Sequence, residues 1–187
     1  MVPGRNRYFV ALVPPAPIRD AIHQYKLRMQ DAFGSRAALR SPPHLTLHMP
    51  FEWRSDKEDK LIQSIAGLAR TLSPVNVSLH GFGSFPPRVI FVHVDASPEL
   101  MALQKSVRRH CRTHLGLLHS DYQDLPFHPH ITVGFRDLKK EVFINAWTEF
   151  QALPFDHTFS ATSLCLLRHN GSEWEEFVAA DFAGQAG

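Results

Sequence analysis

Two pentapeptides constrain this chain more than any other part of it. Pro43-His44-Leu45-Thr46-Leu47 and Pro129-His130-Ile131-Thr132-Val133 follow one pattern: proline, histidine, apolar, threonine, apolar. Of the twelve histidines, only His44 and His130 have a threonine two places on. Aliphatic and β-branched neighbours make both segments read as strands. In an extended chain residues i and i+2 point to the same face. Each copy therefore presents an imidazole and a hydroxyl side by side on one face of a sheet.

The pentapeptides belong to a longer internal repeat. In the first unit, Tyr8 to Val13 is a central-strand run, and Pro17 to Phe33 has helical spacing and closes at Gly34. The motif strand His44 to Met49 then ends at Pro50. A helix from Asp56 to Leu72 follows, with Ser55 or Asp56 as its cap, and then a strand from Val75 to Phe85 that bends at Gly81 and Gly83. The second unit has a strand from Arg88 to Val94, a helix from Ser97 to Leu115 and a loop to His128. Its motif strand, His130 to Phe135, leads to a helix from Lys139 to Phe150. Strands at Phe159 to Leu167 and Trp174 to Phe182 join through an Asn170-Gly171 hairpin. Met1 to Arg7 reads as a loose end. No linker separates the units, so residues 1–187 read as a single domain with lobe-forming repeats over about 8–85 and 89–182. The predicted class is α+β: a two-lobed repeat, antiparallel-rich sheets around a central cleft, helices outside. A pseudo-two-fold axis would set His44 and His130 on opposite walls of that cleft.

Charge and composition narrow the partners. A net charge of +2 suits an anionic substrate but not a protein that coats nucleic acid. Two cysteines, Cys111 and Cys165, read as buried small residues in a reducing compartment, and the protein as cytoplasmic. No run is long enough to span a membrane. There is no glycine-rich phosphate loop, so ATP is not implied, and no cofactor or obligatory protein partner is evident.

Two imidazole–hydroxyl pairs facing each other supply a base, an acid and two neutral donors, which suits proton transfer on a phosphate. With an unperturbed pKa of about 6.5, one imidazole can be neutral while the other is protonated. The paired motifs in two α+β halves resemble the two-histidine (2H) phosphoesterase superfamily, which includes bacterial 2′-5′ RNA ligases and RNA 2′,3′-cyclic phosphodiesterases. Phe127-His128-Pro129-His130-Ile131-Thr132-Val133 resembles its second motif, and Gly83-Ser84-Phe85-Pro86-Pro87-Arg88-Val89 its turn before the fourth strand. Two departures stand out. Arg136 follows the second motif late, after Gly134-Phe135, and His48-Met49-Pro50-Phe51 replaces the family's phenylalanine-leucine-glycine run.

The resemblance implies that His44 and His130 are catalytic, with His130 as base and His44 as acid, and that Thr46 and Thr132 donate to phosphate oxygens. It implies opening of 2′,3′-cyclic phosphates of RNA ends or small nucleotides to 2′-phosphates, with weak 2′-5′ RNA ligation. Arg136, His128, His48, Phe127 and Tyr122 are the candidate substrate contacts, as cation, polar rim or base-stacking groups. Two other classes compete. One is a non-catalytic RNA- or nucleotide-binding module. The other is a hydrolase whose metal is held by His44, His48, His128 and His130, although no carboxylate or cysteine recurs at ligand spacing and the threonines would then be unexplained.

Overall fold

Strand β1 (Arg5–Leu12) opens a computed structural model that describes residues 4–117 and 126–183. Arg5, Asn6 and Arg7, expected as a loose end, belong to this strand because they pair in register with Arg54, Trp53 and Glu52. Helix α1 (Ala16–Phe33) ends as its sequence predicts: Gly34 adopts φ 73°, and its N–H donates to the Gln30 carbonyl. Strand β2 (Leu45–Arg54) runs through Pro50 instead of stopping there. Pro50 falls where the β1–β2 register is irregular, between the pairs Tyr8–Phe51 and Val10–His48. At such a place the missing N–H costs no ladder bond.

Helix α2 (Glu58–Ala69) is shorter than its apolar spacing suggests. Ser55–Lys57 form a separate 3₁₀ turn, and Asp56 binds Arg54 instead of capping. Strand β3 (Val75–Phe85) has the expected irregularity between Leu79 and Phe82, with Gly81 at φ 57°. It pairs with β4 (Val89–Val94), and helix α3 (Pro98–Leu115) follows. Ser97 caps α3: its hydroxyl accepts from the Leu100 N–H at 3.2 Å. After β5 (His130–Gly134) come α4 (Lys140–Phe150), β6 (Asp156–Ala161), β7 (Ser163–His169) and β8 (Trp174–Asp181).

The strands form one antiparallel sheet in the order β6-β3-β4-β5-β2-β1-β7-β8. The apolar stretch around 159–167, read from sequence as one strand, is two. β6 pairs with β3 at one edge, whereas β7 pairs with β1 toward the other. Since only Thr162 separates β6 from β7, the sheet must curl to bring its ends together. The break has a physical basis in burial pattern. β6 alternates, burying Phe159 and Ala161, while Leu164 to Leu167 are buried on both faces. Sheet halves and sequence repeats are also not coextensive. β3 closes the first repeat yet pairs with β4 and β6, while β7 of the second repeat pairs with β1 and carries β8 on its outer side.

Helix α1 packs on β5 and α4, α3 on β2 and β3, and α2 on β7, β8 and α3. They cover a large core that contains Tyr8, Val10, Leu45, Leu47, Ile131 and Val133. A smaller cluster, Phe9, Ala11, Cys165 and Leu167, forms on the opposite face of β1 and β7. Both cysteines are free and buried, and burial pushes each thiol up to about 12, so neither is a nucleophile at neutral pH.

Candidate active site

The two motif strands are neighbours. Leu45 of β2 pairs with Ile131 of β5, antiparallel, and both are fully buried in the core. Continuing that register by one residue each way sets Thr46 across from His130 and His44 across from Thr132. All four alternate with core residues, so they share the face turned away from the core, and all four are half-buried. The sequence repeat thus becomes a two-by-two patch of imidazoles and hydroxyls at the seam between the sheet halves.

The imidazoles are held alike. Nδ1–H of His44 donates to the Pro42 carbonyl at 2.7 Å, and Nδ1–H of His130 donates to the His128 carbonyl at 2.7 Å. A carbonyl can only accept, so each neutral ring must carry its proton on Nδ1 and keep Nε2 as a free lone pair. Each ring also rests on a phenylalanine of the strand next door. Phe9 of β1 lies 4.6 Å from His44, and Phe91 of β4 lies 5.0 Å from His130, centroid to centroid. Phe85 meets His130 edge-on at 5.2 Å. Gly83, opposite Phe91, makes room for that ring: a Cβ there would come within 2.4 Å of it.

Electrostatics separates what the sequence leaves symmetric. Burial pushes the His44 pKa down to about 4, with the Lys26 charge and the His130 charge acting in the same direction. Burial also lowers the His130 pKa. Lys26 is a fully buried cation on the core stripe of α1, where Ile18, Ile22 and Met29 would predict another apolar residue. Its ammonium donates to the carbonyls of Ala38 and Ser41, at 2.9 Å each, and burial pushes its pKa down to about 7. It thereby ties down the segment that carries Pro42, the anchor of His44. A lysine breaking an apolar helical stripe was the signal available for this role.

Beside the patch opens a cavity of about 470 Å³. Thr46 and His130 of the patch are among its lining residues, and Met49, Phe85 and Phe127 line it with apolar surface. Gln104, Arg108 and Arg112 of α3 border it from the helix side, and the Gln104 side-chain amide donates to the Leu47 carbonyl at 3.3 Å.

A model of the 2′-5′ RNA ligase superfamily matches residues 14–173. The chain belongs to that superfamily. A candidate phosphoesterase of Geobacillus sp. (strain WCH70) is 31% identical over 170 residues, covering 89% of this chain and 91% of that protein. One of Geobacillus kaustophilus (strain HTA426) is 29% identical over 178 residues, covering 92% and 95%. The fold matches a crystal structure from Thermus thermophilus with TM-score 0.69 at 22% identity, over 96% of this chain and 99% of that one. It matches E. coli LigT complexed with 3′-AMP with TM-score 0.68 at 23% identity, over 95% and 98%.

In this superfamily member the other expected contacts scatter. His48 and Phe127 line the cavity. His48 is nearly buried, with its Nδ1–H donating to the Met49 carbonyl at 3.0 Å, and Phe127 also packs on the core. His128 is exposed at the cavity edge, 6.3 Å from Phe85, and supplies the carbonyl that holds His130. Arg136 is not brought to the cavity. Its guanidinium lies 4.9 Å over Phe135, in a separate depression shared with Arg88. The cause is Asp137, whose carboxylate accepts from the Ser35 hydroxyl and from the N–H groups of Arg36 and Ala37, drawing the end of β5 toward α1. Tyr122 lies outside the described residues. Sequence reasoning missed Met49, Phe85, Gln104, Arg108 and Arg112 at the cavity, and Phe9 and Phe91 as seats for the histidines. Only the last pair left a trace, as a phenylalanine on the strand that opens each repeat. Among the described residues, no group of three or more His, Cys, Asp or Glu is placed to hold a metal ion. None of their helices is long and apolar enough to cross a membrane.

Proposed function

We propose that this chain is a cytoplasmic phosphodiesterase that opens 2′,3′-cyclic phosphates at RNA or nucleotide ends by histidine acid–base catalysis. The observation that carries this reading is the matched pair of Nδ1-anchored imidazoles, each beside a threonine, on one open face. Nε2 of His130 takes a proton from water as its oxygen attacks phosphorus. The bond from phosphorus to O3′ breaks, and Nε2–H of His44 gives its proton to O3′, leaving a 2′-phosphate. The assignment of acid and base follows the family resemblance; burial and Lys26 disfavour the His44 imidazolium in the free enzyme, so in this assignment the negative phosphate restores it on binding. Thr46 and Thr132 donate to the two non-bridging oxygens, where charge grows in the transition state. Proton exchange with solvent then resets the pair. With a ribose 5′-hydroxyl in place of water, the same groups form a 2′-5′ bond as a weak side activity. That E. coli LigT has been crystallised with 3′-AMP supports a nucleotide-sized ligand in this fold.

The test is a turnover panel of nucleoside 2′,3′-cyclic phosphates, cyclic-ended oligonucleotides and ADP-ribose cyclic phosphate, with products identified by ³¹P NMR. Turnover to a 2′-phosphate is expected for the 2′,3′-cyclic substrates. A 3′-phosphate product would reverse the orientation of the ring between the motifs. Binding without turnover of any of the three would favour the non-catalytic module.

A further inference from the structure

The cavity beside His130 has a composition that the two-histidine chemistry does not require. Proton transfer and oxygen binding use His44, His130, Thr46 and Thr132, yet a space of about 470 Å³ adjoins them. Small-molecule sites typically enclose about 300–1,000 Å³, so this one has room for a nucleoside. Its lining is chiefly apolar and aromatic. Three large hydrophobic side chains among the described residues are markedly exposed, and two of them, Met49 at 39% and Phe85 at 38%, line this cavity. Exposure of apolar groups costs free energy in the unliganded protein and is recovered when a flat apolar group covers them.

The helix side has the opposite character. Gln104, Arg108 and Arg112 are spaced by four residues on α3, so they form one stripe along the cavity border. Arg108 and Arg112 are exposed and add two positive charges within reach of anything that fills the cavity. Helix α3 is fixed relative to the motif strand by the Gln104 bond to the Leu47 carbonyl and by its buried stripe Leu100, Leu103, Val107 and Cys111. The guanidinium stripe is therefore held at a set place relative to Thr46 and His130. A ligand that suits this cavity has a flat apolar body beside the reacting phosphate and a second anionic group beyond that body. A nucleotide phosphorylated on its 5′-oxygen has that layout. Its base and ribose fill the apolar part, and its 5′-phosphate meets the arginines, which bind phosphate oxygens through charge-assisted hydrogen bonds.

We infer that the cavity is a second subsite, holding the nucleoside of the reacting end in its apolar part and the 5′-phosphate of that nucleotide on Arg108 and Arg112. The subsite makes the enzyme selective for 5′-phosphorylated or chain-linked ends over free 5′-hydroxyl cyclic nucleotides. This inference rests on the nucleotide-end reading above and deepens it.

Calorimetric binding keeps the two separable, because it does not depend on turnover. Adenosine 2′-monophosphate and adenosine 2′,5′-bisphosphate would be titrated into the wild-type chain and into Arg108→Gln/Arg112→Gln, with circular dichroism confirming that the variant folds. The 5′-phosphate should tighten binding to the wild type by roughly tenfold or more, a preference that 1.4 kcal/mol supplies. The variant should bring the ratio of the two dissociation constants to near one, and Phe127→Ala should weaken both ligands. A parallel pair of titrations, with a 3′-terminal 2′-phosphate on a dinucleotide, reads whether a chain-linked phosphodiester gains the same advantage as the monoester. A wild-type ratio near one, a ratio unchanged in the arginine variant, or no binding of either ligand would overturn the subsite. Failure to turn over cyclic substrates, with the binding ratio intact, would count against the phosphodiesterase reading and leave the subsite standing.

Discussion

Replacing either His44 or His130 with alanine is expected to lower kcat by roughly 10² to 10⁴, the range for loss of one well-placed acid or base. Both rings lie on the open face, anchored by a single Nδ1–H bond each, while their neighbours Leu45 and Ile131 hold the core. Their removal should therefore leave the fold intact, as a thermal melt would show. Loss of the acid and loss of the base disable one concerted step, so the double variant should lose far less than the product of the two singles. Single-turnover measurements on a cyclic substrate check both points. Near-wild-type turnover in either single variant would refute the paired-histidine mechanism.

The threonines carry the second large effect. Register places Thr46 across from His130 and Thr132 across from His44, so each hydroxyl has both imidazoles as near neighbours. Thr46→Val and Thr132→Val keep the β-branched shape that suits the strand and remove only the donor. If the hydroxyls serve the transition state, each change should cost roughly 2–4 kcal/mol, or about 30- to 1,000-fold in kcat. Their effect on substrate binding should be much smaller, because the charge they meet grows mainly after binding. An unchanged kcat in the double valine variant would return both residues to a purely structural role.

Much of this was legible because local chemistry repeats. The paired pentapeptides, the Gly34 and Ser97 caps and the bend at Gly81 each rest on a residue with one dominant local use. What the sequence hid depends on distant pairing. Nothing near Thr162 says that β6 and β7 belong to opposite parts of the sheet, although the change from alternating to continuous burial marks the break. Pro50 looked like a stop because the register irregularity that accommodates it is made with β1, far away in the chain. Arg136 looked like a phosphate contact from its place after the motif, but the bonds of Asp137 to Ser35, Arg36 and Ala37 decide where that turn goes. Arg108 and Arg112 drew no reading at all, since i, i+4 spacing of arginines is the same whether a cavity or bulk water lies beyond it. Lys26 was concealed by the opposite prejudice, that a lysine belongs on the surface.

The central claim, that His44 and His130 move the protons, is tested most directly by the pH dependence of kcat/KM on a cyclic substrate after exhaustive dialysis against a strong chelator. An acid and a base working together are active when the pair holds one proton, so the profile is a bell bounded by the two pKa values of the pair. Burial disfavours the imidazolium form of both rings, and Lys26 adds to this at His44. Each ring in the free enzyme therefore gives up its proton at lower pH than an exposed histidine, and both limbs move in the acid direction. The account predicts full activity after chelation and a kcat/KM maximum below about pH 6.5, the unperturbed histidine value. In the complex the negative phosphate favours imidazolium, so the kcat profile should lie to the alkaline side of the kcat/KM profile. Activity that disappears with the chelator and returns with zinc, or a kcat/KM bell centred above the histidine range, would contradict it.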